Sequence, residues 1–220
     1  MQEIINAVRD ALSNIIMLAP IVLISITIHE WAHAYTSYKL GDYTAKTEGR
    51  LSLNPLRHID PIGAIFFIIF RFGWAKPVPV KTMYFKNPKR DMAITAIAGP
   101  ISNILLSIAI IPFLAIAAAF NAPNFVIEFL QTLMYMNISF AIFNLIPIPP
   151  LDGSRLLTFF LPTNIYMKFL QYERYAFIVF ILLMFTGVFS SFMGTATNFV
   201  ANLLIVPTEA LANFIFNLVH

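Results

Sequence analysis

The sequence contains no cysteine among its 220 residues. This excludes a disulfide-stabilised scaffold and every thiol-based metal or redox site, so any bound metal must have His, Asp or Glu as ligands. Charged side chains are also scarce: Asp, Glu, Lys and Arg together make up 11% of the chain, against about 25% in an average soluble domain. So small a share of charged residues excludes an ordinary soluble enzyme. So few polar residues also exclude an intrinsically disordered chain.

Hydrophobic residues are in excess, at 59% of the chain, with 22 Phe and 9 Met. The mean hydropathy is +0.76. A single core in a domain of this size buries only about two thirds of the unfolded surface, so it cannot hide this many apolar side chains. A lipid bilayer must therefore surround the protein. The net charge of +3 would suit a nucleic acid, but basic residues in a membrane protein report loop orientation, and we expect no nucleic acid partner.

Runs without charge predict the membrane-spanning helices, because about 20 residues are needed to cross a bilayer. We predict an all-α membrane protein with about five crossings, built as a single domain over 1–220. The predicted helices cover about 5–38, 92–119, 125–146, 172–189 and 196–218. Turn-forming residues separate the later helices, at Asn121-Ala122-Pro123 and near Ser190-Ser191 and Gly194.

The segment 61–90 does not fit this pattern. Its apolar part, 61–70, is too short to cross upright, so we predict a short re-entrant or interfacial element. Residues Trp74 to Tyr84 carry proline at positions 77 and 79, which excludes a central strand but allows an edge strand. An incoming peptide could pair with this edge at Pro77 and Val78. The alternative is a proline-stiffened loop.

Basic residues predict the orientation. Ten of the fourteen Lys and Arg residues lie in 39–90 and three more lie in 152–174, so both segments should face the cytoplasm of a multi-pass protein in the cell membrane. The first apolar stretch invites a signal-peptide interpretation. Its first ten residues, however, hold one Arg against two acids, and we interpret it as a retained helix.

One motif carries clear chemistry: His29-Glu30-Trp31-Ala32-His33, directly after an uncharged run. On a helix, His29 and His33 lie one turn apart on the same face and can share a metal, while Glu30 projects beside them toward a metal-bound water. The alternative is a polar helix end at the headgroup level. Ionisable groups at the edge of the hydrocarbon are costly unless something binds them, which favours the metal site.

A catalytic zinc site needs a third protein ligand. The sequence offers His58, Asp60, Asp152 and His220. Asp152 stands out because it follows the proline-rich break at 147–151, and broken backbone at membrane depth lines a cavity or is buried in protein. The predicted topology also brings it to the same depth as the two histidines. His58 and Asp60 remain alternatives on that side, with turn or cap residues as their simpler interpretation.

Four segments together resemble the site-2 proteases, the zinc intramembrane metalloprotease family. They are His29–His33, Gly73–Val80, Ala98–Asn103 and Asn144–Gly153, the last of which matches Asn-x-x-Pro-x-Pro-x-x-Asp-Gly. The resemblance implies one zinc ion bound by His29, His33 and Asp152, with Glu30 as the catalytic acid/base and Asn144 in the substrate cleft. Ser154 stands where many members have a second glycine, and the chain resembles a compact form without PDZ or CBS domains.

Other polar or small residues have two interpretations. Asn144 and Asn103 could each contact substrate or form hydrogen bonds between helices. We favour substrate contact for Asn144, and for Asn103 we favour neither interpretation. Gly99 and its small neighbours favour close helix packing. Ser25, one turn before His29, could support that histidine or bond to its own helix.

These observations predict a zinc-dependent intramembrane endopeptidase. Its substrate would be a membrane protein with a transmembrane helix, and its active site would lie near the cytoplasmic face of the lipid bilayer. Zinc would lower the pKa of a bound water and Glu30 would accept its proton. The alternatives are a metal-ion transporter or binding protein that uses the same His, Glu and Asp cluster, and an inactive scaffold. A transporter would need polar residues spaced along several helices, and the sequence offers none in that pattern.

Overall fold

The computed structural model describes residues 1–219 except 71–72, 163–164, 166–174, 177, 181 and 185. Over these residues the architecture is all α, without a sheet. We number the helices α1 Gln2–Lys39, α2 Thr44–Thr47, α3 Pro61–Phe70, α4 Pro88–Ala119, α5 Asn124–Leu145, α6 Asp152–Phe160 and α7 Val188–Val219. Single 3-10 turns cover Pro55–Arg57 and Thr82–Tyr84.

Four of the described helices are long and apolar enough to cross a bilayer: α1 from Ile15, then α4, α5 and α7. The all-α membrane fold is therefore confirmed, and α1, α4 and α5 agree with the predicted helices to within four residues. The crossing predicted over 172–189 falls largely outside the described residues.

The turn predicted near Ser190-Ser191 and Gly194 is wrong, because α7 runs through these residues without a break. The helix begins earlier, after a turn at Thr186 and Gly187. Gly187 has φ +73°, a left-handed conformation that glycine adopts without steric cost. A single glycine or serine within a helix, as at 190–194, does not by itself end it.

The short element predicted at 61–70 is helix α3, and its re-entrant or interfacial position stays a prediction. Its ten residues span about 15 Å, roughly half of the hydrocarbon thickness. The predicted edge strand over Trp74–Tyr84 is wrong: its described pairing is one antiparallel bridge between Ala75 and Ile59. Pro77 and Pro79 lack the N–H groups that a continued ladder would use.

Helix α4 lies at the centre of the fold and packs against α1, α5, α6 and α7. Small residues on its buried faces, among them Ala96 and Gly99, allow the neighbouring helices to approach closely. The described apolar core joins α1, α4, α5 and α7 through Ile21, Ile110, Leu133, Met134, Ile138 and Ala201. This arrangement fixes the face of α1 that carries the two motif histidines against α4.

Candidate metal centre

Helix α1 carries both histidines of the HExxH motif into the interior. His29 and His33 are buried, and their Nε2 atoms lie 3.0 Å apart. One helical turn separates them, so both rings project from the same face of α1 toward α4. The structure thus has both imidazoles on one face of the helix, as the sequence predicts.

Asp152 joins the pair from a distant part of the chain. It is the first residue of α6, directly after the proline-rich turn that follows α5. Its Oδ2 lies 3.1 Å from His29 Nε2 and 3.2 Å from His33 Nε2. Burial alone would raise the pKa of this carboxyl, but His33 and His29 beside it hold that pKa well below its usual range, so Asp152 is an anion.

The second nitrogen of each imidazole faces an oxygen atom. His29 Nδ1 donates to Asn103 Oδ1 and His33 Nδ1 donates to the Thr95 carbonyl oxygen, each over 2.7 Å. Because each Nδ1 donates to an oxygen of α4, each ring turns its Nε2 atom toward the other ring and toward Asp152. This is the orientation that metal-binding histidines have in proteins.

Three atoms of metal-binding types thus converge in one buried place, where Asp152 Oδ2 faces no donor other than the two ring nitrogens. Two imidazole nitrogens and one carboxylate oxygen are a ligand set that catalytic zinc takes in proteins. Four tetrahedral ligands about 2.0–2.1 Å from zinc are about 3.3 Å from one another. The observed separations of 3.0–3.2 Å fit a zinc ion, leaving a fourth position for a non-protein ligand.

The rival ligands lie elsewhere. Among the residues the structure describes, the group of His, Asp and Glu able to hold a metal is His29, His33 and Asp152. Asp60 caps α3 instead, since its Oδ1 accepts from Ile62 N and Gly63 N at 2.9 Å each. His58 is buried, with its Nε2 2.7 Å from the Ser52 carbonyl oxygen. His220 lies outside the described residues.

A polar network supports His29 from behind. Asn103 is fully buried, and its Nδ2 donates to the Ser25 carbonyl oxygen and to Asn137 Oδ1 at 3.1 and 2.7 Å. Asn137 in turn donates to Ser25 Oγ over 2.9 Å, and Ser25 Oγ donates to the Ile21 carbonyl oxygen. Both interpretations of Ser25 are therefore correct: it bonds to its own helix and also supports the network.

Two of the groups that support the imidazoles were not predicted from the sequence: the Asn137 side chain and the Thr95 carbonyl oxygen. Asn137 lies within an apolar stretch of α5, and a buried amide in a membrane helix is itself a signal of function. Thr95 contributes a backbone oxygen, for which no side-chain pattern exists.

Gly99 on α4 faces both imidazoles. A Cβ atom at this position would lie 2.5 Å from His33 Nε2 and 2.6 Å from His29 Cε1, which is closer than real side-chain carbons approach. The predicted close packing around Gly99 is confirmed. The structure adds that the close neighbour is the histidine pair itself.

Glu30 lies beside the pair and is half-buried. Its Oε2 accepts a hydrogen bond of 2.8 Å from Val78 N. Pro77 and Pro79 have no N–H, so Val78 is the one residue of the three able to donate here. Side chains also fasten the ends of this extended segment, because Arg50 donates to the Lys76 carbonyl oxygen and Asp42 accepts from Lys81 N.

Asn144 lies near the end of α5, eight residues before Asp152. It is mostly buried, and its Nδ2 donates over 2.9 Å to the Phe140 carbonyl oxygen of its own helix. Its predicted contact with substrate stays a prediction, as do those of Pro77 and Val78.

Several known proteins are similar to this chain in sequence. The sequence model described as peptidase family M50 matches residues 112–188, a span that contains Asp152 but not the HExxH motif. The chain is 40% identical over 171 residues to "Putative zinc metalloprotease YwhC" of Bacillus subtilis (strain 168), covering 75% of this chain and 78% of that protein.

Two mycobacterial proteins are more distant relatives. "Putative zinc metalloprotease Rip2" of Mycolicibacterium smegmatis is 28% identical over 172 residues, covering 74% of this chain and 64% of that protein. A protein of the same name from Mycobacterium tuberculosis (strain Erdman) is 30% identical over 138 residues, covering 60% of this chain and 52% of that protein. No solved structure matches the chain significantly.

Proposed function

Because this chain belongs to peptidase family M50, the site-2 proteases, and is a membrane zinc metalloprotease, we propose that it is an intramembrane endopeptidase that cleaves transmembrane segments of other membrane proteins. We place its active site near the cytoplasmic face of the cell membrane and treat 1–220 as one catalytic domain. The relatives' names favour this function over a metal-ion transporter. The observation that carries the proposal is the convergence of two imidazoles and a carboxylate beside Glu30 at one end of a membrane-spanning helix.

We propose that His29 Nε2, His33 Nε2 and Asp152 Oδ2 bind one zinc ion per chain. Their mutual distances, the Nδ1 hydrogen bonds that orient both rings and the orphaned carboxylate oxygen support this assignment. When bound, zinc would polarise the scissile carbonyl and lower the pKa of a water in the open position.

Glu30 is the proposed general acid and base. Its carboxylate would take a proton from the attacking water and then pass that proton to the leaving nitrogen of the peptide bond. The position next to His29 on α1 supports this role. The hydrogen bond from Val78 N would hold one carboxylate oxygen in a fixed direction and leave the other for the proton.

Substrate binding requires part of a transmembrane helix to unwind, because a helix keeps its carbonyl oxygens in its own hydrogen bonds. Pro77 and Val78 lie on an extended segment next to Glu30, which supports a contact between this segment and an unwound peptide. Asn144 is a second proposed contact. The side chain of Asn103 already forms hydrogen bonds to His29 and to the Ser25 carbonyl oxygen. Its proposed role is therefore to orient His29, not to contact substrate.

The test is the Glu30→Gln variant, purified with its zinc and reconstituted with a single-span membrane substrate. Removing a general acid/base typically costs about 10²–10⁴-fold in rate. We expect one zinc per chain, as in the wild type, and a loss of cleavage of this size. Wild-type turnover by Glu30→Gln would contradict the proposed role.

A further inference from the structure

Two charged side chains are buried in the stretch 40–54 that follows α1. Asp42 is fully buried and Arg50 is 5% exposed. Aspartate and arginine are seldom so buried unless they are paired. The ion pairs among the described residues lie at the metal centre and include neither of these side chains, so both charges must be satisfied in another way.

Both side chains bind the backbone of the extended segment Lys76–Lys81. Arg50 Nη2 donates to the Lys76 carbonyl oxygen at one end of the segment. At the other end, Asp42 Oδ2 accepts from Lys81 N over 2.7 Å. A hydrogen bond with a charged partner is about twice as strong as a neutral one. The segment is therefore held at both ends by charged residues of a single stretch of chain.

The two charged residues are themselves fixed with respect to α1. Asp42 N donates over 3.0 Å to the Ser37 carbonyl oxygen in the last turns of the helix. Asp42 Oδ1 accepts from Thr44 N over 2.9 Å, and Arg50 N donates over 2.7 Å to the carbonyl oxygen of the buried Ala45. The helix that carries the metal-binding histidines is thus linked to the extended segment through a short series of hydrogen bonds.

The register of the extended segment decides whether Glu30 has a hydrogen-bond donor. Val78 lies between the two anchored ends and donates to Glu30 Oε2 over 2.8 Å. Its neighbours Pro77 and Pro79 have no N–H, so a shift of the segment by one residue in either direction would remove this bond. Anchors at both ends oppose such a shift.

We propose that Arg50 and Asp42 are positioning residues for the reaction: they hold the segment Lys76–Lys81 in the register that places Val78 N–H against Glu30. The inference rests on the proposed function, in which Glu30 transfers the proton. Burying a charge costs free energy that an apolar side chain would avoid. Two buried charges that bind opposite ends of one segment therefore indicate a role in placing that segment, beyond filling the interior.

Arg50→Met tests one anchor, because it deletes the donor and keeps an unbranched side chain. We expect kcat on a single-span membrane substrate to fall several-fold, as in Val78→Pro, with the zinc content unchanged. Arg50→Lys keeps a charged donor and should restore most of the rate. Arg57→Met is the matched control: Arg57 is exposed and lies only a few residues further along the chain, so its loss should leave kcat at the wild-type value.

Double variants distinguish positioning from a general loss of structure. If Arg50 acts through the Val78 N–H, Arg50→Met should lower kcat little further once Val78→Pro has removed that group. Asp42→Asn, at the other end of the segment, should behave in the same way. The proposal would be overturned by losses of kcat that multiply in both double variants, or by wild-type kcat in both Arg50→Met and Asp42→Asn.

Hydrogen exchange separates this inference from the proposed function, because it needs no substrate. Exchange is followed at single-residue resolution over 76–81 in the purified proteins in nanodiscs. We expect the Val78 amide to exchange at least about tenfold faster in Arg50→Met and Asp42→Asn than in the wild type and in Arg57→Met. This result supports the inference even if the wild type cleaves nothing. An unchanged rate at Val78 in both variants would refute it and leave the protease function standing.

Discussion

The two halves of the metal centre are built differently. The imidazole half lies on one continuous helix, and each ring is held by a hydrogen bond from its Nδ1 atom to α4, at Asn103 or Thr95. The carboxylate half begins a short helix after a proline-rich turn, and Asp152 Oδ2 has no donor apart from the ring nitrogens it faces.

This difference indicates how the site is assembled. Helix packing places the imidazoles before any metal is bound, because α4 fixes both the position and the tautomer of the rings. Asp152 has no comparable hydrogen bond to α4, and its position depends on how α6 packs against α4 and against the end of α5. The imidazole half is therefore the part that hydrogen bonds preform, and helix packing adds the carboxylate.

The largest effect should come from breaking the preformed half with Gly99→Ala. The new Cβ would lie 2.5 Å from His33 Nε2, so at least one ring must move. We expect zinc affinity to fall at least about 100-fold, at the upper end of losses seen when ligand orientation is disturbed, and cleavage to fall with it. Zinc content after dialysis against a metal buffer measures this.

Gly194→Ala is the control for that variant. Gly194 also lies in a helix, but nothing is within 4 Å of a Cβ placed there. The added methyl should leave zinc binding unchanged and stabilise α7 by about 0.5–1 kcal/mol. Equal zinc affinity in Gly99→Ala and Gly194→Ala would contradict the role of α4 in placing the imidazoles.

Gly153→Ala tests the carboxylate half. Its Cβ would lie 2.2 Å from the Leu145 carbonyl oxygen, so the start of α6 must shift away from α5. Two preformed imidazoles still bind zinc weakly, so we expect a smaller loss of affinity than in Gly99→Ala, about tenfold or more. Isothermal titration with zinc compares the two variants, and Ser154→Gly, at the neighbouring position, should bind like the wild type.

Asn103→Ala removes the acceptor of His29 Nδ1 while leaving both ligands in place. We expect a loss of about 10-fold in zinc affinity, near the lower end of the range for such partners. Asn137→Ala acts one residue further away and should cost less. If the two residues act through one network, the free energy of zinc binding lost in the double variant will be smaller than the sum of the losses in the two single variants.

The smallest effect concerns Glu30 and leaves the metal untouched. Val78→Pro deletes the N–H that reaches Glu30 Oε2, whereas Val78→Ala keeps it. We expect kcat to fall several-fold in Val78→Pro, with zinc content unchanged, and to stay near the wild-type value in Val78→Ala. Equal kcat values in the two variants would show that this hydrogen bond does not position the carboxylate.

Much of the fold was predictable because it follows from long apolar runs and local motifs. The HExxH spacing alone predicts the histidine pair on one helix face, and the proline break before Asp152 indicates a residue that enters the interior. Contacts between helices carry no such signal. That Gly99 faces the imidazoles, and that Thr95 contributes a carbonyl oxygen, depends on how α4 packs against α1.

The wrong predictions arose where the surrounding structure outweighed the conformational preference of a few residues. The serines at 190 and 191 and Gly194 are tolerated within a long apolar helix, and the chain turns at Gly187 instead. The alternating prolines at 77 and 79 do give an extended segment. Side chains from Asp42, Arg50 and Glu30 hold it, however, in place of a neighbouring strand.

Zinc K-edge X-ray absorption of the purified protein tests the central claim most directly. We predict one zinc per chain with two imidazole nitrogens at about 2.0–2.1 Å and a carboxylate oxygen at about 2.0–2.2 Å, and the loss of that oxygen in Asp152→Ala. A spectrum with three imidazoles, or one that Asp152→Ala leaves unchanged, would contradict the account.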